Sequence, residues 1–402
     1  RQMCIRDRLI YPPNGVNPMF LSRAIYFFYY GATASLLPFL VIYYESLGLS
    51  GYQIGFLAGI MPLIALFSAP FWGGLADATQ KHKLLLLLAM STSIVLAFVL
   101  SNASAFLFLI PLVVLLAFVI APIMPIVDNS VMDHLADHKD QYGKLRLWGA
   151  IGWGVAAPVV GWLIEQSDLS WAFYGYMILM SAGLLVAWKL NVSQAGIGSK
   201  FWVGLRSLLS NPSWPLFLFT VFVFGIGTSV IHSFLFLYLN DLEASKTLMG
   251  LSLMVATISE LPILYFSDRL LNRFGATRMI IFSMSFLVLR LFAYSFIRIP
   301  FLVLIIQLLH GPTYSMMWVS GVSYAAKNAP QGMGATAQGL FSGVLLGLSA
   351  AVGAFIGGFL YEDIGPVAMF RLIGFFVLMG IALFLLVGKR FMSPESPASL
   401  AN

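Results

Sequence analysis

Five ionisable residues sit within or beside apolar runs long enough to cross a bilayer: Asp128, Arg146, Glu260, Arg290 and His310. Charge at membrane depth is costly, so such residues are retained where they are paired, hydrated or at work. Asp128 follows Pro122 and Pro125 at the end of one run, and Arg146 opens the next. A guanidinium fork can hold a carboxylate or a polyol oxygen through paired hydrogen bonds. The two are therefore candidates for holding a polar solute; the plainer alternatives are a structural ion pair, or Arg146 as an ordinary inner-loop cation. Trp153 lies seven residues after Arg146, two turns along the same helix face. Its indole can stack on a ring-bearing solute or simply pack. Glu260, in Ser259-Glu260-Leu261-Pro262, has no sequence neighbour to neutralise it. Dry surroundings favour a neutral acid and a nearby guanidinium favours the carboxylate, so moving between the two loads and releases a proton. Arg290 is flanked by Leu287, Val288, Leu289, Leu291 and Phe292, too deep to snorkel readily to the surface.

Other residues carry weaker expectations. Tyr26, Tyr29 and Tyr30 share helical spacing and would line a cavity, although packing is the commoner use of such aromatics. His232, with no motif around it, reads as structural. Asp133, His134, Asp137 and His138 have a spacing at which two histidines share a helix face and hold zinc, but they fall in a solvated loop and no metal site is assigned. Asp77 with Lys81, and Asp268 with Arg269 and Arg273, place a carboxylate beside basic residues at a helix end, an arrangement suited to latching one conformational state.

The elements that position these residues follow from composition. Of the 402 residues, 60% are hydrophobic and 9% charged, with a mean hydropathy of +0.90; soluble domains run near ~25% charged. The chain is a polytopic membrane protein. A span needs about 20 apolar residues, and twelve stretches qualify: 20–44, 53–75, 84–101, 105–128, 147–165, 171–189, 214–238, 248–266, 279–297, 300–322, 337–360 and 367–388. The longest polar stretch, after the sixth span, contains a short amphipathic piece, Phe201–Leu209, and reads as a cytoplasmic linker over 190–213. It separates six-helix bundles at 20–189 and 214–390. An N-terminal arm occupies 1–19, of which 1–8 read as foreign sequence, and a cytoplasmic tail 391–402. With both ends cytoplasmic, 18 of the 22 Lys and Arg residues fall on inner segments, Lys246, Arg298 and Arg371 on outer ones, and Arg290 within a span. That bias supports the orientation and an inner (plasma) membrane location.

The halves also echo each other. Gly161-Trp162-Leu163-Ile164-Glu165 ends the fifth span and Gly358-Phe359-Leu360-Tyr361-Glu362 the eleventh; Asp77 follows the second and Asp268 the eighth. A repeat of half the chain is a mark of transporter folds, whose substrate site is expected where the halves meet near the bilayer midplane. The glycine-rich eleventh span suits close helix contact and is given no substrate role.

Gly73-Gly74-Leu75-Ala76-Asp77-Ala78-Thr79-Gln80-Lys81-His82-Lys83 resembles the signature after the second helix of the major facilitator superfamily, without its usual glycine after the aspartate. Tyr142-Gly143-Lys144-Leu145-Arg146-Leu147-Trp148-Gly149 resembles the start of the fifth helix in the phenylpropionate permease family and, more distantly, in lactose permease. The resemblance runs from about Phe20 to Arg390. It implies an all-α major facilitator fold of twelve transmembrane helices in two pseudo-symmetric six-helix bundles, alternating access and proton-coupled symport. It implies substrate-binding roles for Asp128, Arg146 and Trp153, joined by Tyr26 and Tyr30, and proton-coupling roles for Glu260, Arg290 and His310. It implies gating by Gly73, Asp77 and Lys81, with Asp268 and Arg273 as the second-half equivalents. Two departures stand out: Thr313 occupies the place of lactose permease's proton-carrying glutamate and Gln307 that of a lysine, which leaves Glu260 as the best carrier and Asp128 as the second.

There is no Walker A loop, His-Glu-x-x-His helix, Gly-x-Ser-x-Gly elbow or dinucleotide fingerprint in the sequence. The expected partners are therefore a small organic solute, a proton and the lipid bilayer, with no nucleic acid, cofactor or catalytic residue, and a functional monomer. The solute is either an aromatic acid such as phenylpropionate or a sugar or nucleoside. A non-transporting receptor, a uniporter without proton coupling, and an intramembrane enzyme using Asp128 or Glu260 with His310 are the competing readings.

Overall fold

The computed structural model describes residues 18–135, 141–190, 192, 208, 210, 213–329 and 333–391. The N-terminal arm to residue 17, most of the linker with its amphipathic piece, Asp137, His138 and the tail from 392 lie outside the described residues. Among those described, eleven apolar helical runs are long enough to span a membrane: α1 (Met19–Ser46), α2 (Gly51–Thr79), α3 (His82–Leu100), α4 (Phe106–Leu135), α5 (Tyr142–Gln166), α6 (Ser170–Lys189), α7 (Ser213–Asp241), α8 (Lys246–Tyr265), α9 (Ala276–Tyr294), α10 (Leu302–Asn328) and one of 52 residues, Thr336–Val387. Gly365, at φ 75° and ψ 167°, breaks that last run, and Pro366 cannot continue the ladder. It is thus two spans, α11 (336–364) and α12 (366–387), giving twelve in all.

Several helices outrun their apolar stretches, because backbone hydrogen bonding continues past the residues that face hydrocarbon. α2 runs to Thr79 and so carries Asp77 in its last turn. α5 starts at Tyr142, which puts Arg146 inside the helix rather than before it. α4 is interrupted by a turn at residues 121–122, beside Pro122, and resumes through Asp128 to Leu135. α10 has a wide π-type turn over Gly311–Ser315, around Pro312, and α11 another over Gly343–Leu348. Such turns arise where the regular ladder is perturbed and concentrate at functional sites.

Packing divides the described chain into two units. The first holds α1, α3–α6, the later part of α2 from residue 64, and 244–254 at the start of α8. The second holds α7, α9–α12, the rest of α8, and 50–63 at the start of α2. The units are therefore not two contiguous stretches of chain: the opening turns of α2 and α8 each pack with the other half's helices.

Lipid supplies no hydrophobic drive between helices, so close backbone approach matters instead. In the first unit, α1 packs on α5 and α6. Gly149 admits the ring of Tyr30, and Gly152 the backbone of Phe27. In the second unit, α7 is buried along most of its length. Gly353 and Gly357 of α11 receive it at Ser229 and Phe234, and Gly380 of α12 receives Val223.

Candidate functional site

Each unit carries one polar cluster. In the first, α1, α4 and α5 converge on Asp128. Tyr26 Oη donates to its Oδ1 at 2.6 Å, and Arg146 Nη1 to its Oδ2 at 3.2 Å. The same guanidinium donates to Tyr142 Oη at 3.0 Å and to Tyr30 Oη at 3.1 Å, and lies 5.9 Å from the centre of the Tyr30 ring. Tyr26 is fully buried, while the Arg146 side chain is 44% exposed. The cluster is therefore a paired charge ringed by phenol hydroxyls and open on one side. The sequence predicted Tyr26, Tyr30, Asp128 and Arg146 for this site, and they come together. Trp153 lies on the same helix but packs against the apolar group of Ala34, Ala156 and Ala157. Tyr142 was not singled out, although its i, i+4 spacing from Arg146 was a usable signal.

The second cluster is built differently. Arg290 of α9 is 3% exposed and makes three hydrogen bonds: Nε to Tyr294 Oη at 3.1 Å, Nη2 to Gln307 Oε1 at 2.5 Å, and Nη1 to His310 Nδ1 at 2.9 Å. On the far side of that imidazole, Nε2 lies 3.0 Å from Glu260 Oε1. Ser315 Oγ donates to Glu260 Oε2 at 3.1 Å. A guanidinium only donates, so His310 Nδ1 accepts. The imidazole is then neutral, with its proton on Nε2 and aimed at the Glu260 carboxylate. No carboxylate touches Arg290 directly; the histidine stands between them. The π-type turn of α10 follows directly after His310 and contains Ser315, so one local distortion carries two of Glu260's partners. Glu260, Arg290 and His310 are brought together, as predicted. Tyr294 repeats the arginine–tyrosine i, i+4 spacing, reversed in order. Thr313 bonds back to the Leu309 carbonyl at 2.6 Å. His232 presents its ring edge to His310, with centroids 6.1 Å apart, closer to this cluster than a purely structural reading of it suggested.

The gating candidates divide. Asp77 Oδ1 lies 3.4 Å from Nε2 of His82, which is 5% exposed, whereas Lys81 is exposed as the residue preceding α3. Gln80, at the position where the signature carries glycine, takes φ 55°, and its side-chain nitrogen donates to the Asp77 carbonyl at 2.7 Å. A small cavity bounded by Gly73, Asp77, His82, Pro122, Pro125 and Asn129 adjoins them. Asp268 and Arg273 are exposed on a short helix, Ser267–Phe274, where Arg273 lies over the Phe274 ring and Arg269 over Phe266. No ion pair joins Asp268 to either arginine among the described residues.

A family model, described as the MFS_1 like family, matches residues 21–372. The chain belongs to that family. The MFS_1-like chain is 29% identical to a maltose permease of Geobacillus stearothermophilus over 91% of its own length and 93% of the relative's. It is 25% identical to an uncharacterized transporter, YwbF, of Bacillus subtilis, over 91% and 92% of the two chains. Among solved structures, the nucleoside transporter NupG superposes with a TM-score of 0.83 at 17% identity, covering 93% of this chain and 100% of that one. A mutant peptide transporter of the POT family gives 0.71 at 15% identity, covering 95% and 96%. These likenesses show the fold. As a member of the family, the chain is an all-α, multi-pass membrane transporter of the major facilitator type and not an enzyme.

Proposed function

We propose that this transporter is a proton-coupled symporter of a polyhydroxylated solute, a sugar or nucleoside, working by alternating access as a monomer in the inner membrane with both termini cytoplasmic. The observation that carries the substrate class is the state of the two arginines. An aromatic acid needs a cation free to meet its carboxylate. Arg146 is already neutralised by Asp128, and Arg290 is buried with three partners. A sugar needs the reverse: a fixed array of donors and acceptors that leaves charge balanced. Asp128, Arg146 and the hydroxyls of Tyr26, Tyr30 and Tyr142 form such an array. The relative named as a maltose permease fits this reading. Trp153, two turns further along α5, would stack on a sugar ring.

Glu260 is the proposed proton carrier. His310 cannot take a second proton while Arg290 donates to its Nδ1. Its Nε2–H instead steadies the carboxylate form of Glu260, and a proton arriving at Glu260 Oε2 would turn Ser315 Oγ from donor to acceptor. In this reading Gly73, Asp77 and Lys81, with Asp268 and Arg273, serve gating, and His82 supplies the contact to Asp77.

Proteoliposomes with a pH-sensitive dye outside test the proposal. Maltose, a nucleoside and phenylpropionate are added in turn, in the absence of a membrane potential. External alkalinisation with maltose or the nucleoside, absent for Glu260→Gln, is the expected result. Alkalinisation only with phenylpropionate would overturn the substrate class. Uptake of labelled solute without any pH change would overturn proton coupling.

A further inference from the structure

The five-residue pattern that ends both α5 and α11, glycine first and glutamate last, serves the same contact in both places. Glu165 Oε2 accepts a hydrogen bond from the backbone N–H of Lys246, the first residue of α8, at 2.5 Å. Glu362 Oε2 accepts one from the backbone N–H of Gly51, the first residue of α2, also at 2.5 Å. The paired glycines allow the approach: a Cβ on Gly161 would strike the Lys246 carbonyl, and one on Gly358 would strike Gly51 and Gly55. Even the local caps match. Ser245 Oγ takes the N–H of Leu248, and Ser50 Oγ that of Gln53. The first backbone N–H of each helix, which its serine leaves over, goes to the distant carboxylate. A helix start has unsatisfied donors and partial positive charge, so each glutamate makes a charge-assisted cap.

The two capped helices are the ones that packing divides. Residues 51–63 of α2 belong with the second unit and 64–79 with the first; for α8, the residues up to 254 belong with the first unit and the rest with the second. A helix shared in this way must give up contacts at one end when the units move. In a twelve-span chain, the ends of odd-numbered helices and the starts of even-numbered ones lie on one face of the membrane, so all four partners share that face.

We propose that Glu165 and Glu362 are positioning residues of the transport cycle. They form a matched pair of latches that hold the starts of α8 and α2 together in this state and release both when that face opens. The proposal rests on the family's transport activity and is independent of substrate and of proton coupling.

Hydrogen–deuterium exchange on the full chain in nanodiscs, without solute or gradient, tests it. The variants are Glu165→Ala, Glu362→Ala, the two Gln versions, and Glu243→Ala as an exposed control. Either Ala substitution is expected to speed exchange roughly fivefold, the equilibrium change that loss of an ordinary cap produces, at both helix starts, 50–56 and 245–251. Gln, which keeps an acceptor without the charge, gives a smaller rise at both, and the control gives none. Faster exchange only at the helix that the altered residue caps would make the glutamates local caps and overturn the proposal, as would no change at either. If an Ala variant also loosens the buried core of α7, it has unfolded, and the Gln pair decides by the same criterion.

Discussion

The first unit's arginine holds its carboxylate directly and in the open; the second unit's arginine is buried and reaches a carboxylate only through a histidine. Both rest on a tyrosine one helical turn away, Tyr142 for Arg146 and Tyr294 for Arg290. What differs is the element opposite. In the first unit Asp128 comes from the stretch of α4 that restarts after Pro122, and takes one donor on each oxygen. In the second, α10 inserts Gln307 and His310 ahead of its π-type turn and displaces the carboxylate outward to Glu260, whose side chain is 26% exposed. The first arrangement can exchange one neutral set of hydrogen bonds for another, which suits a polar solute. The second moves its negative charge away from its positive one, so adding a proton to Glu260 breaks no direct ion pair.

The sharpest way to break this contrast is to delete each arginine. Arg290→Ala leaves Gln307 and His310 acceptors buried without their donor, and removing one member of a buried charged network costs about 3–5 kcal/mol. Arg146→Ala costs about 1–3 kcal/mol, the range for leaving a group without its hydrogen-bond partner, because Tyr26 still serves Asp128. Thermal unfolding in the same detergent should rank the variants in that order, while solute binding should be lost first in Arg146→Ala. The reverse ranking would mean that the second cluster, not the first, is the solute site.

Next in size is a change that separates solute from proton. Glu260→Gln keeps an acceptor for His310 and for Ser315 but carries no titrating group. Exchange of labelled solute across the membrane is expected to persist within about threefold, since the amide preserves neutral hydrogen bonds, while accumulation driven by a pH gradient disappears. Asp128→Asn should do the opposite, lowering exchange and accumulation together. If both variants lost both activities equally, the division of labour between the clusters would be wrong.

How far the sequence reached is instructive here. The twelve spans were legible because hydrophobicity over about 20 residues is imposed by the bilayer itself. The members of the two clusters were legible because charge at that depth is rare. The kink between α11 and α12 was visible as a polar gap, but only the backbone at Gly365 shows that the helical run continues through it. The π-type turns were not legible: Pro312 signals a disturbed ladder without fixing how the turn is rebuilt. Asp77's partner was misjudged for a related reason. Lys81 and His82 are adjacent, and which of them turns inward depends on where α3 begins. The shared role of Glu165 and Glu362 was present as a repeat, yet its meaning required knowing which helix starts they reach.

A third test sharpens the first cluster alone. Gly149 lies three residues after Arg146, and a Cβ there would overlap the Tyr30 ring. Gly149→Ala should therefore displace Tyr30 from the guanidinium, at about 1–3 kcal/mol for overpacking. Solute affinity should fall about tenfold, which corresponds to ~1.4 kcal/mol, with the proton cluster's behaviour untouched. Unchanged affinity would remove Tyr30 from the solute site.

The smallest expected effect concerns the loops after α2 and α8, which differ as the clusters do. Asp77 is engaged by buried His82, whereas Asp268 is exposed with no ion pair to its neighbouring arginines. The first loop also carries a strained residue, Gln80 at φ 55°, in a region that suits glycine far better than other side chains. Gln80→Gly should relieve that strain, worth about 1 kcal/mol or less at a compatible glycine site. It also deletes the 2.7 Å side-chain hydrogen bond to the Asp77 carbonyl, worth about 0.5–1.5 kcal/mol, and loosens the unfolded chain. The opposed terms are of similar size, so unfolding temperature should move by no more than one or two degrees. A large loss would show that the glutamine side chain, rather than the backbone turn, holds Asp77 against His82. In that case the missing glycine of the signature is a substitution with its own function.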